Sequence, residues 1–138
     1  MKKVMTFGTF DILHKGHLSF FRQAKKLGDH LIVVVARDKF VERAKGKAPK
    51  NAETSRVHKV RNLPFVDRAL LGSRVHNFYR TIRTYQPDMI ALGYDQKPSL
   101  RDLKGDLGRH RLKDVRVIRL RSYKPNIYKS SLLANRNE

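Results

Sequence analysis

The segment HLIVVVA (30–36) restricts the fold more than any other part of the sequence. After its first residue it is a continuous apolar run rich in β-branched side chains, without the alternation of a strand that has one face in water. Such a run is typical of a parallel strand that is buried on both faces. Because parallel neighbours need long crossover connections, usually helices, the segment predicts an α/β fold.

The rest of the chain alternates in the way that this fold requires. Strand patterns occupy residues 2–7, 30–36, 66–72, 87–93 and 115–120. Helical patterns occupy residues 16–28, 52–63, 76–85, 99–110 and 128–136. With right-handed crossovers, we expect one domain (1–138), a Rossmann-like doubly wound sheet of about five parallel strands with helices on both faces. The arginine-rich last strand is expected at an edge.

The polar segment RDKFVERAKGKAPKN (37–51) interrupts this alternation. Its glycine, proline and lysine content predicts a mobile loop after a short helical start.

Composition narrows the cellular setting and the partners. The sequence has no cysteine, which excludes disulfides and favours a reducing cytoplasm. It has neither a stretch long and apolar enough to cross a membrane nor an N-terminal signal pattern, so no membrane partner is expected. Lys and Arg number 31 against 12 Asp and Glu, a net charge of +19. This excess suits anionic partners such as nucleotides, phosphorylated metabolites or nucleic acid, although general solubility explains it equally well.

Two unusual segments directly follow predicted strands. GTFDILHKGH (8–17) follows the first strand, and GYDQ (93–96) follows the fourth. Doubly wound sheets bind ligands outside the carboxyl ends of their strands, where the strand order reverses. We therefore expect both segments to contribute to one site.

The pair His14 and His17 stands at the predicted start of a helix that Gly16 opens. Unpaired amides and a partial positive charge favour phosphate at such a position, and the imidazoles add directed donors. Two alternatives remain from the residues alone. The pair could belong to a metal site, although zinc needs three or four ligands, or it could simply cap and pack the helix.

The segment GTFDILHKGH resembles the HxGH signature of the cytidylyltransferase-like nucleotidyltransferases. The blocks AKKLGDHLIVVVARD, KGKAP, VDRALLG and PDMIALGYDQ are similar to archaeal-type FAD synthetases, and the overall pattern is similar to glycerol-3-phosphate cytidylyltransferases. The similar blocks cover most of residues 3–133. The resemblance implies that His14 and His17 bind the triphosphate and stabilise the transition state at its α-phosphate. It implies that Gly8, Thr9 and Phe10 form a backbone cradle.

The resemblance also implies roles for three further segments. Ribose and base contacts would come from Gly93, Tyr94, Asp95 and Gln96. Ser130 and Ser131 would donate to the β- and γ-phosphates. Lys45 or Lys47 would swing onto the triphosphate as pyrophosphate leaves. The alternative is that these lysines simply belong to a flexible, solvated loop. Arg56 matches a family arginine, and its alternative is an exposed helical charge.

The predicted activity is nucleotidyl transfer, first of all AMP transfer from ATP to FMN. The alternative within the enzyme class is CTP-dependent transfer to glycerol 3-phosphate or a similar phosphorylated alcohol. Mg²⁺ would arrive with the nucleoside triphosphate, and no protein metal ligand is assigned. A homodimer is a further partner that the resemblance raises. A basic nucleic-acid-binding module on the same fold is the alternative from another class, and no aromatic-interleaved basic motif supports it.

Overall fold

The computed structural model describes residues 1–73, 78–94, 96, 100–112 and 114–121. The strands are β1 (Lys3–Gly8), β2 (His30–Val35), β3 (Arg68–Leu71), β4 (Met89–Leu92) and β5 (Arg116–Arg119). The helices are α1 (Lys15–Lys26), α2 (Asp38–Lys45), α3 (Glu53–Arg61), α4 (Phe78–Tyr85) and α5 (Leu100–Arg109).

All five strands run parallel in one sheet of order β3-β2-β1-β4-β5. The chain builds outward from β1 through β2 to β3, then returns to the other side of β1 with β4. The strand order therefore reverses between β1 and β4, and the segments that follow these two strands lie at the reversal. This confirms the predicted doubly wound α/β fold and the edge position of the arginine-rich last strand.

Helices cover both faces because the strands are apolar on both faces. Val4, Val33 and Val35 pack with α1 and α3 in one cluster, whereas Met5 and Ile32 pack with α4 and α5 in the other. Strand β2 is buried along its length after His30, as its continuous apolar run predicts. Because all five strands run parallel between these two layers of helices, their carboxyl ends lie together at one end of the sheet.

The segment 37–51 differs from its predicted form. The short helical start extends over two turns to Lys45. It ends at Gly46, whose φ of +77° is a left-handed conformation that favours glycine. Buried Val41 secures this helix. The predicted helical start is thus confirmed and takes up the first half of the segment, whereas mobility of the remainder stays a prediction.

The predicted closing helix (128–136) lies outside the described residues, and the single-domain prediction for the whole chain stays a prediction. Among the described helices, none combines the length and apolarity needed to span a membrane.

Candidate active site

The two histidines of the first unusual segment lie together at the start of α1. His14 is the N-cap residue, and its Nδ1 accepts a hydrogen bond from the amide of Gly16 at 3.0 Å. The His14 and His17 rings stack with centroids 4.0 Å apart. The spacing of three residues therefore brings both imidazoles to one end of the helix, as the sequence predicts.

One nitrogen of each ring is buried without a hydrogen-bond partner in the part of the chain that the structure describes. These atoms are Nε2 of His14 and Nδ1 of His17. Because Nδ1 of His14 accepts from an amide, the neutral ring carries its proton on Nε2, which makes that atom a donor. An unpaired buried polar atom is costly, and a ligand that pairs with it recovers this cost.

Burial keeps both rings neutral. It lowers the pKa of His17 to about 3, and the neighbouring His14 ring adds to this effect, while a hydrogen bond with the backbone of Ile12 opposes it. Burial also lowers the pKa of His14. Near pH 7 both rings are therefore neutral. Nε2 of His14 is then an N–H donor, whereas the bond from the His17 ring to the backbone of Ile12 uses its one proton and leaves Nδ1 as an acceptor. The first turn of α1 contains no acidic residue, so its exposed amides remain favourable to an anion.

The turn between β1 and the histidines folds around Phe10. Phe10 has a φ of +52°, and its ring is 6% exposed beneath Gly8. It contacts His17 edge-on with centroids 5.4 Å apart and also packs against Phe20 and Phe21. Phe10 thus packs against the His17 ring, a contact that no sequence pattern predicts. The backbone cradle expected from Gly8, Thr9 and Phe10 stays a prediction.

Arg56 of α3 is fully buried beneath the same turn, so the exposed alternative was wrong. Its Nη1 donates to the carbonyls of Thr9 at 2.9 Å and Ala36 at 2.7 Å. Its Nε donates to the carbonyl of Asn51 at 2.9 Å, and its Nη2 donates to the carboxylate of Asp38 at 2.7 Å. These four bonds join the segments that follow β1 and β2. A direct contact of Arg56 with nucleotide stays a prediction.

Asp11 joins the same turn to the lysine-bearing segment. Its carboxylate accepts from the amides of Lys50 at 2.7 Å and Asn51 at 2.8 Å, while its carbonyl accepts from the Asn51 side chain. Burial alone would raise the pKa of Asp11, but these hydrogen bonds and the charge of Arg56 lower it below its usual value. Asp11 was not singled out from the sequence, although an aspartate in a glycine-led turn is a signal for such bonds.

The two candidate lysines lie at the end of α2 and just beyond it. Lys45 is the last residue of the helix, Lys47 follows the left-handed Gly46, and both are exposed. The Asp11 contacts hold the far end of this segment beside the histidine turn. Their predicted reach to a triphosphate stays a prediction.

The segment after β4 is tied to β1 and β5. Gln96 accepts from the amide of Gly93 at 2.7 Å and donates to the carbonyl of Phe7 at 2.8 Å. Arg119 donates to the carbonyls of Gly93 and Gln96. Half-buried Tyr94 lies between them. The amide of Gln96 thus has a positioning role, and the nucleotide contacts predicted for this segment stay predictions. Asp95, Ser130 and Ser131 lie outside the described residues.

A cavity of about 260 Å³ opens near the carboxyl ends of the strands, on the face of the sheet that packs against α4 and α5. Its apolar wall comes from β1, β2, β4, α2, α4 and α5. The apolar residues of this wall are Phe7, Val34, Phe40, Phe78, Ile82, Ile90, Leu92 and Leu103. Gly8 and Thr9 also line it, so the cavity and the histidines share the turn after β1. Sequence analysis did not predict this cavity, because its wall residues have the ordinary pattern of core positions.

A family model described as cytidylyltransferase-like matches residues 5–136, which is nearly the whole chain. The chain belongs to the cytidylyltransferase-like family. This assignment agrees with the observed placement of the histidine pair between β1 and α1.

Relatives within the cytidylyltransferase-like family include proteins named FAD synthase. The one from Thermoplasma acidophilum is 44% identical over 133 residues, which are 96% of this chain and 92% of the relative. The one from Aciduliprofundum boonei is 46% identical over 123 residues, 89% of this chain and 80% of the relative. A crystal structure from Thermoplasma volcanium, described as a lipopolysaccharide core biosynthesis protein, superposes with a TM-score of 0.84 at 41% identity, covering 90% of this chain and 99% of that one.

The close packing beneath Gly8 makes a first prediction for this cytidylyltransferase-like protein. A Cβ at Gly8 would lie 2.5–2.9 Å from the Phe10 ring, which its buried neighbours hold in place. We expect Gly8→Ala to lower the free energy of unfolding by about 1–3 kcal/mol in urea titrations. Gly108→Ala is the matched control, because an added Cβ there meets nothing within 4 Å. Equal stability of wild type and Gly8→Ala would contradict this packing.

The depressed pKa of His17 makes a second prediction. The unfolded chain binds a proton at His17 below about pH 6.5, whereas the folded chain binds it only below about pH 3. Because the unfolded state binds more protons between these two values, the free energy of unfolding falls as the pH is lowered through this window. The expected contribution is about 1.4 kcal/mol per pH unit. Urea titrations between pH 7 and 4.5 should show a shallower decline for His17→Gln than for wild type. Parallel declines would mean that His17 titrates normally.

Proposed function

We propose that this protein transfers AMP from ATP to FMN, giving FAD and pyrophosphate. The observation that carries the proposal is the pair of buried, unpartnered ring nitrogens of His14 and His17 at the start of α1. A neutral donor at a helix N-terminus, such as Nε2 of His14, suits a phosphate group. The FAD synthase relatives, identical to this chain at 44–46% of positions, support ATP as the nucleotide and FMN as its acceptor.

The reaction is an in-line displacement at the α-phosphate of ATP. A phosphate oxygen of FMN forms a bond to the α-phosphorus while the bond from that phosphorus to the bridging oxygen breaks. The bond electrons leave with pyrophosphate, and the α-phosphate keeps its other three oxygens. Since the attacking phosphate oxygen is already ionised, no general base is required, and catalysis consists of positioning and electrostatic stabilisation.

The residues of the site divide this work. His14 and His17 contact the α-phosphate as charge builds on its oxygens, His14 as a donor through Nε2. Gly8, Thr9 and Phe10 cradle the nucleotide. The predicted nucleotide contact of Gly16 is limited because its amide donates to His14, so the amides that follow it in the first turn of α1 favour the triphosphate. Lys45 or Lys47 neutralises the departing pyrophosphate. Arg56 acts beneath them by fixing the carbonyl of Thr9.

The remaining nucleotide contacts come from the segment after β4 and from the C-terminal region. Ribose and base are proposed to bind Gly93, Tyr94, Asp95 and Gln96. Ser130 and Ser131 are proposed to bind the outer phosphates.

A divalent cation, which we propose is Mg²⁺, enters as part of the MgATP substrate. Among the described residues, no group of three or more His, Asp or Glu side chains is arranged to hold a metal ion. Mg²⁺ commonly binds substrate phosphates and water with few protein ligands, which fits a site built from N–H donors and lysines.

The apolar cavity beside Gly8 and Thr9 is the proposed site of the flavin ring. Its wall of aliphatic and aromatic side chains suits a flat, largely apolar ring system, and its position places the ribityl phosphate toward the turn that carries the histidines. A cytoplasmic location and a homodimer stay predictions.

The substrate assignment is tested by offering ATP or CTP with Mg²⁺ and either FMN or glycerol 3-phosphate. We expect pyrophosphate release only with ATP and FMN, and a product with the mass of FAD. Release with CTP and glycerol 3-phosphate alone would assign the cytidylyl activity instead. Absence of turnover with every pair, beside tight and salt-sensitive RNA binding, would contradict an enzyme function.

The histidine roles are tested with variants that keep the helix cap. Asparagine is a good N-cap residue, so His14→Asn can still accept from the Gly16 amide while it lacks the Nε2 donor. We expect kcat to fall about 10²- to 10³-fold in His14→Asn and in His17→Asn. Near-wild-type thermal unfolding of His14→Asn is the control for folding. Near-full activity of either variant would show that its ring does not act on the α-phosphate.

A further inference from the structure

Arg37 is the one charged side chain among the described residues that line the apolar cavity. It lies between β2 and α2, at the edge of the sheet where the histidine turn also lies. Its neighbours along the cavity wall are uncharged: Phe40, Gly72 and Ser73 from the segments after β2 and β3, and Thr9 from the turn after β1. Glu53, the acidic residue that pairs with Arg37, is not among the residues that line the cavity.

The Arg37 side chain is held in place by two hydrogen bonds. Its Nε donates to the carbonyl of Gly72 at 2.7 Å, and its Nη1 donates to the carboxylate of Glu53 at 3.0 Å. Its Nη2 donates to no residue in the described ranges. The guanidinium is therefore oriented in advance and still offers N–H donors to a ligand.

Glu53 accepts hydrogen bonds from Arg37 and from a second partner. Its second carboxylate oxygen accepts from the amide of Asp38 at 2.8 Å, at the first residue of α2. One carboxylate thus serves both the guanidinium and the positive end of a helix. Glu53 offsets the charge of Arg37, so what the cavity wall offers a ligand is the remaining N–H donors of the guanidinium.

We propose that Arg37 binds the phosphate of FMN and presents it for attack on the α-phosphate. This inference rests on the proposed function. A phosphate monoester carries a charge of about −1.5 to −2 near pH 7 and cannot enter an apolar cavity without a cation. The planar fork of arginine matches phosphate oxygens in geometry. Since Gly8 and Thr9 also line the cavity, an anion held at Arg37 lies beside the turn that leads to His14 and His17.

The test compares FMN with riboflavin, which has the same ring and ribityl chain but no phosphate. Binding of each flavin is followed by fluorescence in the wild type, Arg37→Gln and Arg37→Met. The second variant keeps an unbranched apolar stem against the cavity wall, so that packing is preserved if glutamine disturbs it. Arg43→Gln is the matched control, because it removes the same charge from an exposed position of α2.

We expect both Arg37 variants to bind FMN about 10- to 100-fold more weakly than the wild type and riboflavin within about twofold. The Arg43 variant should bind both flavins as the wild type does. An unchanged ratio of the two affinities in a folded Arg37 variant would overturn the proposal. Equal weakening of both flavins would also overturn it, because Arg37 would then contact the ring or only support the fold.

Synthesis assays on the same proteins separate this proposal from the proposed function. Wild type that makes FAD while the Arg37 variants keep the wild-type affinity ratio would contradict the Arg37 role alone. Wild type that neither binds FMN nor makes FAD would contradict the assignment of the acceptor.

Discussion

The candidate active site at the carboxyl ends of the strands depends on the buried guanidinium of Arg56. Arg56 has no exposed surface, and burying a charge is costly unless every donor finds an acceptor. Its partners are the carbonyls of Thr9, Ala36 and Asn51 and the carboxylate of Asp38. Because the carbonyls come from separate segments, the charge can be buried only when those segments have converged. The turn after β1 and the start of α2 are therefore positioned together.

Helix α3 organises α2 with two opposite charges spaced one turn apart. Arg56 pairs with the carboxylate of Asp38. Glu53 accepts hydrogen bonds from the backbone amide of Asp38 and from the Arg37 side chain. Arg37 is the N-cap residue of α2 but makes no capping bond with its own side chain, so the cap is supplied from α3. The Arg37 side chain is thus left to bond the carbonyl of Gly72 and the carboxylate of Glu53. Helix α3 therefore fixes the position of a residue that lines the cavity.

The sequence predicts those features that leave a local pattern. The apolar run 30–36 and the alternation of elements predict the sheet, and the spacing of His14 and His17 predicts their meeting at a helix start. Burial of Arg56 is different, because its acceptors are backbone carbonyls that any residue provides. The same holds for Arg119, whose bonds to Gly93 and Gln96 cross from the edge strand. Long-range bonds to the main chain leave no signature in spacing or composition.

The turn after β1 lies where two environments meet. On the face of α1, the polar rings of His14 and His17 meet at the start of the helix. On the face of α4 and α5, the cavity wall is apolar, and Gly8 and Thr9 belong to it. A side chain at position 8 would enter the Phe10 ring that supports His17, so the backbone itself must separate the two environments. A reaction that joins a flavin to a nucleotide needs such a boundary, because an apolar ring and a charged triphosphate must be held within bonding distance of each other.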